Sequence, residues 1–212
     1  SGGLVALMRA AEKTLSRDLL CEHLKAVSQA LQSPTKYACL TVGVNDAQVR
    51  HVDLPLMSIA DMRQVLKLNP KAYFQQDLPG HIFDCHASAR PQLDRPNPKP
   101  KDHGGSTKQR VLVAGARKQL VDDFVEAAKG AGLTTDCILP ALLGPVNTYE
   151  KSMPDLFQKA AVAVVDIGFR NSSICIIKEG ELILSRVLGF GGDRITNGLS
   201  EALNISYAEA EG

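Results

Sequence analysis

Residues 164–196, VVDIGFRNSSICIIKEGELILSRVLGFGGDRIT, carry the side chains and glycines whose spacing suits a ligand. Asp166 closes one apolar run and Gly168 follows it. Gly191 and Gly192 come two apolar runs later, where a helical pattern opens. A carboxylate at a strand end suits Mg²⁺ held through water, because this hard cation prefers oxygen ligands. Glycine has no Cβ, so backbone amides beside it can approach a phosphate closely. A helix start adds unpaired amides and about half a positive charge. Together the two turns would make a two-sided clamp for a nucleotide tail, if folding brings them together. Each half alone is ordinary, an Asp-x-Gly turn and a Gly-Gly helix cap. The informative feature is the order: strand, DIG, hairpin, strand, GG, helix.

Other reactive residue types are less organised. His81, Cys85 and His86 include metal-ligating types, but Cys85 and His86 face opposite sides of a strand and a fourth ligand is missing. A half-buried edge strand is the expectation there. Cys39 and Cys175 sit mid-strand without a basic neighbour in register, so the sequence marks neither as a reactive thiol. No Gly-x-Ser-x-Gly or His-Glu-x-x-His occurs, so a hydrolase reading has neither of these motifs to rest on. Asp122-Asp123 reads as a solvated helix face.

The elements that must position these residues follow from periodicity. Apolar residues at three- and four-residue steps over 4–31 predict one amphipathic helix, or two with a break near Ser16. KYACLTVGV and AQVRHVDLP read as strands joined by Asn45-Asp46 turn chemistry. Ser58 caps the helix SIADMRQVLKL, since its hydroxyl can accept from a first-turn amide. HIFDCHA is another strand. Residues 88–110 hold four prolines, two glycines and six Lys/Arg against two Asp, with no apolar periodicity, so a basic, solvated loop is expected. No aromatics are interleaved there, which argues against nucleic acid.

Beyond that loop, RVLVAGA is a strand, KQLVDDFVEAAKGAG a helix ended by Gly130 or Gly132, TTDCILP a strand and ALLGPVNTYEK a helix. Asp155 opens a short linker or turn. AAVAVVDIG is a strand, and SSICIIKEG with ELILSRVLG a hairpin about Glu179-Gly180. A helix spans 191–203, and Ser206 with Glu209 makes a capping box for one more.

At 212 residues the chain can bury a substantial core, and 44% apolar with 22% charged residues is ordinary for a globular protein. A net charge of +1 gives no overall attraction to nucleic acid or acidic membranes. No window holds the ~18 apolar residues of a membrane span. Five cysteines without a CxxC pair suit a reducing, cytoplasmic compartment. Ser1-Gly2-Gly3 reads as the remnant of a cleaved tag, and the last residues stop inside a helical pattern, which points to part of a longer protein.

The order and spacing over 162–211 resemble the second phosphate region of the actin/FtsA superfamily. HVDLPLMSIADMRQVLK with LPGHIFDCHA, and the run from RVLVAGARKQ to LLGPVN, narrow the resemblance to its PilM-type branch, proteins of type IV pilus assembly. The resemblance spans most of 33–211. It implies an α/β, actin-like (ribonuclease-H-like) core with an inserted small α+β (SHS2-like) subdomain. Residues 1–32 would be a helical segment of the first core subdomain, 33–90 the inserted subdomain and 91–109 a flexible basic loop. Residues 110–155 would return to the first core subdomain, and 160–212 would begin the second.

By the same resemblance, Asp166, Gly168, Asn171, Ser172, Gly191, Gly192 and Thr196 form part of a nucleotide-phosphate site, with Asp166 holding Mg through water. In the family pattern DIGxxxT the threonine falls at position 172, where this chain has Ser172, directly after Asn171. Phe169 and Arg170 replace small residues. The first phosphate loop and the adenine-binding glycines are absent from this stretch. ATP and Mg would belong to the full-length protein, and none is expected bound here. The implied role is a non-enzymatic scaffold on the cytoplasmic side of the inner membrane. It would hold the N-terminal tail of a bitopic PilN-like partner in a groove between insertion and core, with strands 36–55, the helix after Ser58 and VLVAGARKQ as walls. Contacts with other pilus assembly proteins and self-association are open to it, nucleic acid is not, and membrane contact runs through partners. The alternative is an actin-like ATPase of the FtsA (cell division) or GspL (type II secretion) kind.

Overall fold

The computed structural model describes residues 16–32, 34–87 and 108–212. Ser16 caps α1 (Arg17–Leu31) by accepting from the Leu19 amide at 3.2 Å, so a helix does start at the anticipated break. The helical pattern over 4–15 and most of the basic loop lie outside the described residues. Helix α1 lies along α4 (Lys118–Gly130), so close that a Cβ on Gly130 would sit 3.0 Å from Cys21 Sγ.

Strand β1 (Tyr37–Val42) pairs in parallel with β5 (Thr134–Pro140). A parallel pair needs a crossover. Here the crossover contains α4 and a second sheet, made of β2 (Ala47–Pro55), β4 (Lys108–Arg117) and β3 (His81–Ala87) in that order, all antiparallel.

The Asn45-Asp46 turn forms, with the Asp46 and Ala47 amides donating to Gly43 O at 2.9 and 3.1 Å. It does not fold β1 back on β2 as the sequence suggests. Nine residues of β2 pair with β4, from Ala47↔Ala116 to Pro55↔Lys108, and bury Val52 and Leu54 in a core that β1 does not share. A short β1–β2 ladder would forfeit that burial, worth roughly 1.5–3 kcal/mol per large apolar side chain. Consequently β1 hydrogen-bonds to β5, and β4 to β2 and β3.

Helices α2 (Ile59–Leu68) and α3 (Pro70–Phe74) cover the second sheet. Ser58 Oγ accepts from the Asp61 amide at 3.2 Å, which fixes where α2 starts and turns Met62 and Leu66 inward. They pack with Leu54, Phe74, Val111 and Val113. Phe83 stacks on Phe74, ring centroids 5.2 Å apart, and crosses Gly115 on the adjacent strand. A Cβ at Gly115 would lie 2.7 Å from that ring.

After β5 come a 3₁₀ turn (Ala141–Leu143), α5 (Gly144–Ser152) and α6 (Pro154–Lys159). Asp155 therefore lies in a helix, not a linker. Pro154 sits at a first-turn position, where its missing N–H costs nothing. A third antiparallel sheet follows: β6 (Ala161–Ile167), β7 (Ser172–Lys178) and β8 (Glu181–Leu188). Glu179 and Gly180, with φ of 49° and 81°, turn β7 into β8. Leu142, Val146 and Phe157 bury Cys175 and Ile177 of β7 in a second core. Helices α7 (Gly192–Leu203) and α8 (Tyr207–Glu211) complete the chain, and the Ser206–Glu209 capping box closes as its residues predict.

Candidate functional site

The two turns flagged in the sequence meet at one end of the third sheet. Gly168 donates to Asn171 O at 3.1 Å, closing the turn after β6. The Gly192 amide donates to Gly168 O at 2.9 Å, and the Asp193 amide to Phe169 O at 3.0 Å. Ser172 Oγ donates to Phe190 O at 2.7 Å. At Gly191 an added Cβ would fall 2.1 Å from Phe169 O, so only glycine permits this approach.

Asp166, opposite Ser173 in the β6–β7 ladder, is exposed. Its charge and burial, burial foremost, push the Cys175 thiol pKa up. Thr196 Oγ1 donates to Gly192 O at 3.2 Å within α7. The first amides of α7 and the Ser172 and Thr196 hydroxyls are thus engaged by backbone carbonyls. They hold the turns against each other, and the Gly192 and Asp193 amides are not free for a phosphate. Asp166 contributes one carboxylate, and no group of three or more His, Cys, Asp and Glu gathers as metal ligands among the described residues. So arranged, these residues do not fit a Mg–nucleotide by themselves.

At His81, Cys85 and His86 the strand alternates as expected. Cys85 is buried, with its pKa raised by burial, while His81 Nδ1 lies 3.1 Å from Pro79 O.

A second feature lies between the inserted sheet and β5. A groove of about 350 Å³ is walled by Ile82 and Phe83 of β3, Gly115 of β4, Val121 of α4, and Ile138 and Leu139 of β5. Phe83, whose ring lies over Gly115, forms one side. At one wall Arg63 and Asp84 form an ion pair at 2.6 Å, with Asp84 Oδ1 also accepting from the Cys85 amide at 2.8 Å. Strand β3 is an edge of its sheet, and edge strands present unpaired N–H and C=O groups. Val42 and Ala47, within the strands proposed from the sequence as a wall, do line the groove, as do Arg63 and residues 114–116. The walls from β3 and β5 were missed. ILP at the end of β5, apolar and proline-closed, was the available signal.

Residues 95–212 match the family model described as type IV pilus assembly protein PilM. The chain belongs to the PilM family.

Its fold is the actin-like α/β architecture with an inserted α+β unit, and it superimposes on a solved PilM–PilN type IV pilus biogenesis complex. The TM-score is 0.69 at 20% identity, covering 92% of this chain and 55% of the other. The cytoplasmic domain of EpsL, an inner membrane component of the type II secretion system of Vibrio cholerae, is similar with a TM-score of 0.52. That match has 11% identity over 86% of this chain and 59% of the other. Cell division protein FtsA of Bacillus subtilis (strain 168) is 31% identical over 102 residues, 48% of this chain and 22% of FtsA. This PilM-family chain therefore spans little over half, or less, of the proteins it resembles. No described helix is long and apolar enough to cross a membrane.

Proposed function

We propose that the protein is a scaffold component of a type IV pilus-type assembly machine, and that its groove holds the extended N-terminal tail of a bitopic, PilN-like inner-membrane partner. The groove between the inserted sheet and β5 carries this reading. It has an edge strand for main-chain pairing, apolar walls for alternate side chains and an ion pair at its margin. Those are the features by which an extended peptide adds to a sheet. Membership of the PilM family, and likeness in fold to a protein solved with PilN, support it. The protein would then lie in the cytoplasm and reach the inner membrane through this partner. Calorimetric titration with a synthetic tail peptide is the test: saturable heat is expected, and none at high micromolar peptide would refute the reading.

The turn pair at Asp166 and Gly191-Gly192 serves this scaffold as architecture. In our reading it is a degenerate nucleotide site, supported by the carbonyls that already occupy the Gly192 and Asp193 amides. ATP with Mg would bind the full-length protein only with residues from beyond this chain. The FtsA similarity keeps the actin-like ATPase as the second reading. Steady ATP turnover by the full-length protein, abolished by Asp166→Ala, would favour it.

A further inference from the structure

We propose that Cys39 and Cys137 form a reversible disulfide that staples β1 to β5. The Cys137 thiol donates to Cys39 Sγ at 2.7 Å, closer than two sulfur atoms rest without bonding. The residues are register partners on hydrogen-bonded strands. Such strands lie about 4.8 Å apart, within the Cα separation of about 4.4–6.8 Å that a disulfide spans.

An irregularity in the ladder creates the pair. Tyr37 and Ala38 face Thr134 and Thr135, and the pairing then skips Asp136, so Cys39 meets Cys137. In an unbroken register Cys39 would face Asp136. Because side chains alternate along a strand, Cys137 would then project from the other side of the sheet. The extra residue thus brings together two thiols that sequence spacing hides.

Access and selectivity follow from burial. Cys39 is exposed, on the same face of β1 as exposed Tyr37 and Thr41. Cys85 and Cys175 are buried, and Cys21 lies against Gly130 at the α1–α4 contact. The hydrogen bond to Cys39 pushes the Cys137 thiol up to about 11, so Cys137 keeps its proton at neutral pH and exchange begins at Cys39.

With glutathione disulfide as oxidant, the Cys39 thiolate attacks one sulfur and releases a glutathione thiolate. Cys137, giving up its proton, attacks Cys39 Sγ of the mixed disulfide and displaces the second glutathione thiolate. Two electrons pass to the oxidant, whose S–S bond breaks as the Cys39–Cys137 bond forms. The bridge closes a segment of chain with a sequence separation of 98. It ties the strand leading into the inserted sheet to β5, which supplies Ile138 and Leu139 to the groove. Closing so long a loop restricts the unfolded chain, so the oxidised form is the more stable.

The experiment equilibrates the protein in buffers of rising glutathione disulfide to glutathione ratio, alkylates remaining thiols, and reads intact mass, peptide map and thermal unfolding. The oxidised protein should carry two alkyl labels fewer than the reduced protein, with one cross-linked peptide pair holding Cys39 and Cys137. The Tm should rise by roughly 4 °C or more, reversibly with dithiothreitol. Cys39→Ser or Cys137→Ser should abolish both changes, and Cys21→Ser neither. Glutathione retained on Cys39 at equilibrium, a bridge to another cysteine, or cross-links only between chains would overturn the proposal. The mass map of the unsubstituted protein decides even where a variant folds poorly.

Discussion

The Gly192 amide donates to the carbonyl of Gly168 at 2.9 Å, across a hairpin and 24 positions of sequence. That bond, with its neighbour from Asp193 to Phe169 O, closes the turn after β6 on the start of α7. Helix N-termini are anion sites when their amides are free. Here two of them complete the fold.

Gly191→Ala should destabilise the protein strongly, since the new Cβ would meet a backbone oxygen at 2.1 Å and the two turns would have to part. A loss of about 2–4 kcal/mol in denaturant unfolding is expected, at or above the usual range for overpacking. Gly189→Ala, with nothing within 4 Å of its Cβ, is the control and should change little.

Nucleotide binding by this chain should be weak. With the Gly192 and Asp193 amides engaged, ATP with Mg²⁺ is expected to show no saturable heat below about 1 mM, which corresponds to about 4 kcal/mol. Asp166→Ala should leave that result unchanged. Micromolar affinity lost on that substitution would contradict the architectural reading.

The groove gives a substitution that separates binding from folding. Ile82 lies on the edge strand β3 and is 38% exposed, so Ile82→Glu should cost less than about 1 kcal/mol of stability. A carboxylate against the apolar wall should nevertheless weaken tail-peptide binding tenfold or more, about 1.4 kcal/mol, by calorimetry. Undiminished affinity would move the peptide site elsewhere.

Stability should fall as the solution becomes acidic, partly through His51. Burial, and secondly the Arg110 guanidinium, lower its pKa below 6.5 against the opposing pull of Glu181, the Leu182 backbone and Asp53. The folded protein therefore prefers the neutral ring. Its contribution is full above the unfolded pKa near 6.5 and is lost as pH falls toward the lower folded value. His51→Gln should flatten the slope of unfolding free energy between about pH 7 and 5. An unchanged slope would assign the acid sensitivity to other groups.

Much was legible because it is local. Ser16, Ser58 and Ser206 cap helices through hydroxyls that reach amides three residues away. Alternation in HIFDCHA places Phe83 and Cys85 in the core. The series from Asp166 to Gly192 also survives folding: a two-residue turn starts the β7–β8 ladder, and one skipped residue, Ile183, brings Ser172 opposite Leu188. The reading of Asn45-Asp46 as a hairpin failed because turn chemistry specifies a reversal but not the partner of the strand leaving it.

The sequence by itself determined the caps, the strands of the third sheet and the DIG–GG order, all set by side chains within a few residues or by one tight turn. Only the tertiary structure decided that β1 joins β5 across the inserted sheet, that Cys39 faces Cys137, and that β3 and β5 enclose a groove. Those contacts join residues dozens of positions apart, and are fixed by which apolar faces can be buried together and by a single skipped residue in a ladder.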